Sequence, residues 1–143
     1  MSVLNGFLFF RGQVLQDILG SREKIILYWV GKNSARHFHV TTMEEMQKVF
    51  DNLGLGKIKL VKDKATESQW ILEESPLLQE KIKNEDSLAF ECGLLAGLLE
   101  SIYRGETAGD YFSSEKEGKK ELIITIGKPL SNKVMTIDNS HER

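Results

Sequence analysis

The stretch "AFECGLLAGLLESIYRGE", residues 89–106, decides how the chain is read. Only apolar and small residues lie between Glu91 and Glu100, and Gly93 and Gly97 stand four apart. A membrane span needs about 20 predominantly apolar residues. This run is bounded by two glutamates and is too short for that. At about 100° per residue, Gly93, Gly97, Glu100 and Arg104 fall on one narrow stripe. Cys92, Ala96, Leu99 and Tyr103 lie beside it, and Leu94, Leu95, Leu98 and Ile102 fill the rest. A helix that is apolar all round is buried. The spacing therefore predicts a central helix over about Ser87 to Arg104, stopped at Gly105. Glu100 before Arg104 is the favourable i,i+4 order for an ion pair. A mid-helix glycine costs roughly 1 kcal/mol relative to alanine. The two glycines thus mark a face where something comes close, either a neighbouring helix or a ligand in a narrow apolar pocket.

Upstream, residues 4–19 read as a helix with Phe7, Phe10, Val14 and Ile18 at helical spacing and Gly20 as its stop. "SREKIILYWVGKNSARHF" (21–38) reads as a second helix capped by Ser21, with Ile25, Tyr28 and Trp29 on one apolar side, broadened by Ile26 and Val30, and a largely buried start. A third helix begins at a capping box, Thr42 with Glu45 or Thr41 with Glu44, and ends at Gly54 and Gly56. The period then becomes two. "KIKLVKD" pairs with "ESQWILEE" in a hairpin, with Ile58 and Leu60 on one face of the first strand, lysines opposite, and Trp70 and Leu72 on one face of the second. "SPLLQEKI" is a short helix with Ser75 as cap and Pro76 at its first position. After the central helix, "GDYFSSEK" and "KKELIITIG" make a second hairpin with Gly118 in the turn. Ile123 beside Leu122 and Ile124 suggests cover on both faces. Antiparallel pairs separated by helices predict an α+β domain, an antiparallel sheet of two hairpins packed against a helical layer. The domain covers 1–127, and 128–143 read as a polar, flexible tail.

The 143 residues suit one domain, and 41% hydrophobic with 28% charged residues suits a packed core. A net charge of -2 carries no basic excess for nucleic acid. The amino terminus lacks the basic region and cleavage site of a signal peptide. The single cysteine, Cys92, makes no internal disulfide, and the reading is of a cytoplasmic protein with no membrane span.

Three stretches carry a resemblance: "LQDILG" (15–20) leading into "ILYWVGKNSARHF" (26–38), "FDNLGLGKIKLV" (50–61), and "FECGLLAGLLESIY" (90–103). Together they resemble the small YslB-like proteins of Firmicutes, in the TRAPP-subunit and 4-vinyl-reductase-like superfamily, over roughly residues 4–127. The resemblance implies a TRAPP-like fold. The superfamily includes domains that hold small hydrophobic ligands, sensors, and scaffold subunits. Some relatives bind zinc through cysteines near the final hairpin, but residues 107–127 contain neither Cys nor His, so no metal is expected here.

The chemistry-bearing residues are few. His37 and His39 face the same way on an extended segment, yet structural zinc takes four Cys or His ligands. An activated Cys92 would need a base or a cation beside it; a small buried core residue is the simpler reading. Adjacent Glu44 and Glu45 do not converge, and first-turn acids suit the helix dipole. Lys57, Lys59, Lys62 and Lys64 read as a solvated edge or face. The reading is thus a non-enzymatic binding or interaction module without cofactor. A small hydrophobic ligand would sit in a pocket lined by Trp29, Cys92, Gly93, Ala96 and Gly97. The alternative is a scaffold, a homodimer or partner-binding subunit working through its helical layer. A thiol or metal enzyme using Cys92 with His37 or His39 stands third.

Overall fold

The structure, a computed structural model, describes residues 6–79 and 85–129. The N-terminal helix runs from α1 (Gly6–Phe9) through a π-helical stretch (Phe10–Val14) to α2 (Leu15–Leu19). Gly20, at φ 57°, breaks it, and a 3-10 turn (Gly20–Arg22) leads into α3 (Glu23–Ser34). Arg22, not Ser21, stands at the N-cap of α3, and no side chain caps it. α4 (Met43–Asn52) starts as its sequence dictates: the Glu45 N–H donates to Thr42 Oγ1 at 3.1 Å, while the Glu45 carboxylate accepts the Thr41 N–H at 2.8 Å. α5 (Pro76–Gln79) is short, and Ser75 Oγ accepts the Leu78 N–H. Residues 80–84, the rest of the helix expected there, lie outside the described residues.

Strands β1 (Lys57–Asp63), β2 (Glu67–Glu73), β3 (Ala108–Lys116) and β4 (Lys119–Gly127) form one antiparallel sheet in the order β1-β2-β4-β3. The two predicted hairpins meet through β2 and β4, with Trp70 opposite Ile124 and Leu72 opposite Leu122. Those side chains are fully buried against α6 (Ala89–Tyr103), every residue of which from Glu91 to Leu99 is buried. Trp70 Nε1–H and the Tyr103 hydroxyl both donate to Ser68 Oγ, which satisfies these polar groups inside the core. The helices cover one face of the sheet. On the other, Ile71, Ile123 and Phe112 align across three strands, and Phe112 is exposed, so β4 is not covered on both faces by the described residues. Leu60 is exposed as well. It sits on edge strand β1 beside a register shift at Val61.

α6 ends at Arg104, which takes the left-handed conformation (φ 60°) one residue before Gly105. Its predicted ion pair is replaced: Glu100 pairs with Lys32 of α3 at 3.0 Å and accepts the Thr107 N–H. The expected tail does not begin at 128. The Lys128 N–H donates to Thr66 O, its ammonium lies 2.6 Å from Asp63, and Pro129 is buried. Residues 1–5 and 130–143 lie outside the described residues.

Candidate functional site

The glycine stripe of α6 is occupied by another helix. A Cβ on Gly93 would strike the carbonyl oxygen of Tyr28. One on Gly97 would come within 2.6 Å of Lys32 O and 2.7 Å of Ala35 Cβ. The approach is reciprocal, since a Cβ on Gly31 of α3 would strike Phe90 O and lie 2.8 Å from Leu94 N. Backbone therefore meets backbone along this seam, and the space beside Gly93 and Gly97 holds α3 rather than a pocket. Ala96 is fully buried, with its carbonyl accepting the Thr107 hydroxyl at 2.6 Å. Cys92 points instead toward β3, where a Cβ on Gly109 would lie 2.8 Å from its sulfur. Of the five residues expected to line one pocket, four are core and seam residues. Trp29 alone is open to solvent, at 58% exposure.

Trp29 does line a cleft, one helix face away. Lys24, Ile25, Tyr28 and Trp29 of α3 form one wall, Gly109, Asp110 and Tyr111 of β3 the other, and Ala89 part of the base, around about 180 Å³. Tyr28 holds the walls together: its hydroxyl accepts the Gly109 N–H at 2.9 Å, and its ring meets Trp29 edge-on at 5.6 Å. Burial raises the Tyr28 pKa, so the hydroxyl keeps its proton. The Lys24 ammonium stands at the rim, 4.0 Å from Asp110 and 5.1 Å from the Tyr111 ring centre. Periodicity could not show these β3 residues beside α3, because the contact depends on the crossing of helix and sheet edge.

Beneath the cleft, burial pushes the Cys92 thiol up to about 12, with Asp110 and Glu91 adding to the effect and Lys24 opposing it. A thiolate is the reactive form, so this sulfur is poorly suited to nucleophilic work. In native protein Cys92 is expected to resist a thiol-reactive disulfide reagent that labels it at once in urea. Equal labelling rates in the two states would refute that burial. His37 and His39 are both exposed, and among the described residues no group of three or more His, Cys, Asp or Glu could hold a metal ion.

A second polar cluster ties the N-terminal helix to the body. Its inward residues are Arg11, Gly12 and Gln16, while Phe7, Phe9, Phe10 and Ile18 are exposed. This inverts the expected arrangement, in which Phe7, Phe10 and Ile18 pack inward. The reason is Arg11: it donates to both Glu91 oxygens, at 2.7 and 3.1 Å, and to Ser87 O at 2.7 Å. Its guanidinium also lies 5.6 and 5.1 Å from the ring centres of Phe7 and Phe90. Glu23, buried at the start of α3, joins the cluster. Its burial and the nearby Asp86 raise its pKa against the pull of Arg11.

A raised carboxyl pKa means that the fold binds this proton more tightly than the unfolded chain does. The stability it contributes is full below the ordinary value of 4.5 and is lost as pH rises through the folded value. A Glu23→Gln variant is therefore expected to melt above wild type at pH 7, with the gap closing as pH falls toward about 4. A gap of equal size at every pH in thermal scans would trace it to packing instead.

The family described as "Protein of unknown function (DUF2507)" matches residues 5–127. The chain belongs to that family. "Uncharacterized protein YslB" of Bacillus subtilis (strain 168) is 29% identical to the DUF2507 chain over 115 residues, which cover 79% of this chain and 76% of that protein. The crystal structure of a vinyl-4-reductase family protein from Methanocaldococcus jannaschii superposes with a TM-score of 0.63, at 17% identity, over 90% of this chain and 83% of that one. At that identity the likeness is one of fold: the chain is a YslB-like protein with a vinyl-4-reductase-like fold. No helix among the described residues is long and apolar enough to cross a membrane.

Proposed function

We propose that this DUF2507 protein is a non-enzymatic interaction module that works through the outer face of its helical layer, and that the surface it meets is a second copy of itself. The observation that carries this is the concentration of exposed apolar side chains there. Ile18 (71%), Ile25 (66%), Trp29, Ile26 and Val30 lie open on the α2–α3 face, with the exposed phenylalanines of the N-terminal helix on the same layer. Large contiguous apolar patches on soluble domains mark interaction sites. A two-fold pairing needs only a surface complementary to itself, and a strip of aliphatic groups around one indole meets that need. The lone unpaired thiol favours a reducing, cytoplasmic setting.

Light scattering across concentrations tests this reading. A dimer is expected at micromolar protein, with Ile25→Lys yielding a folded monomer. A wild-type monomer at about 100 μM, weaker than a roughly −5 kcal/mol association allows, would sink it.

A second reading, the binding of a small ligand, draws on the Trp29 cleft. With α3 filling the glycine face, that cleft is the apolar-walled space that retains Trp29 from the expected lining.

A further inference from the structure

We propose that the cleft between α3 and β3 is a binding site for a small aromatic carboxylate. The inference rests on the ligand-binding reading of that cleft and names the chemistry it selects. The volume of about 180 Å³ is below the roughly 300–1,000 Å³ of pockets for drug-sized ligands, so the site suits a molecule of about one ring. Its walls suit a flat apolar body. The Trp29 indole, Ile25 and the Tyr111 ring line it, and Ala89 and Gly109 present almost no side chain.

Two of the polar groups at the site, Tyr28 and Lys24, are donors with capacity to spare. The Tyr28 oxygen accepts from Gly109 N–H, which leaves its own proton to give. Lys24 carries three N–H donors; its ammonium lies over the Tyr111 ring, 5.1 Å from the centre, and 4.0 Å from Asp110, too far for a hydrogen bond. Asp110 keeps its charge but turns it to water: its side chain is 84% exposed, and its Oδ1 accepts the Tyr111 N–H at 2.9 Å. A ligand carboxylate at the rim would accept from Tyr28 and Lys24 together, charge-assisted on the lysine side, while its ring lies along Trp29. A cationic ligand would meet the Lys24 ammonium, and an aliphatic one would forgo the aromatic walls.

The test is a titration of full-length protein with benzoate, and separately with benzyl alcohol, followed by amide and indole N–H signals in NMR. Protein mass is measured in the same buffer, because Ile25 and Trp29 also belong to the outer helical face. Benzoate is expected to shift the Trp29 indole and the Gly109 and Tyr111 amides saturably. Lys24→Gln is expected to weaken it about tenfold with the spectrum otherwise intact. Equal affinity for benzyl alcohol, or no effect of Lys24→Gln, overturns the carboxylate assignment while leaving a ligand site. Absence of any saturable shift with either probe overturns both.

Discussion

A Gly93→Ala variant is expected to lose about 3 kcal/mol or more of folding stability and to melt roughly 6–12 °C lower. The added methyl would land on the Tyr28 carbonyl oxygen, which is backbone within a helix and has no rotamer by which to move aside. Relief would require α3 and α6 to separate, which would loosen the Lys32–Glu100 pair and the Lys32–Thr107 hydrogen bond that pin the far end of the same seam. Gly31→Ala is expected to cost about as much, because it strikes the same seam from the other helix, and Gly97→Ala somewhat less, since its nearest neighbour, Lys32 O at 2.6 Å, leaves more room than the carbonyl facing Gly93. Gly6→Ala, with nothing within 4 Å of the new carbon, is the control and should stay within about 0.5 kcal/mol of wild type. Urea denaturation followed by circular dichroism reads all four. A face that lined a ligand pocket would accept the methyl, so a Gly93→Ala protein as stable as the control would restore the pocket reading.

Glu91→Ala is expected to cost about 3–5 kcal/mol, the usual consequence of removing one partner from a buried ion pair. The deletion strands the Arg11 guanidinium among Phe7, Phe90 and Ser87, with one carbonyl in place of three acceptor contacts. Removing both charges is a different experiment. Arg11→Met with Glu91→Leu leaves an apolar contact of similar volume, and such replacements are often neutral or stabilising. The double variant should recover most of the loss, so the coupling between the sites should approach the sum of the single effects in magnitude. If the double variant is as unstable as Glu91→Ala, the pair is not the source of the loss.

These two sites also show what could be read before the fold was known. The stripe Gly93–Gly97–Glu100 was legible because helical spacing is a property of the segment alone, and all three residues do face one partner. That the partner is α3 was not legible, although Gly31 offered a signal: a third glycine inside a helix, on an otherwise bulky segment. The strands and both hairpins followed from alternation, and the Thr42–Glu45 start from local capping chemistry. The orientation of the N-terminal helix was misread for a physical reason. Its apolar residues outnumber its polar ones, but one guanidinium with a buried carboxylate fixes which side turns inward. Glu91, the only charge in the first three turns of α6, and Arg11, set among aromatics, were each out of place alone. Only the fold, which brings residues 11 and 91 together, explains both. The cleft lay beyond reach for the same reason, as it joins α3 to a strand some eighty residues away.

The hydrogen bonds along β3 bear on how copies of this chain can assemble. Its outward N–H groups at Gly109, Tyr111 and Ser113 are taken by Tyr28, Asp110 and Glu85. At the opposite edge, β1 carries lysines and the irregularity at Val61. A strand from another molecule finds no regular ladder to extend at either end. Fibre growth by strand addition is thereby obstructed, and association through the helices would close on a pair instead of propagating.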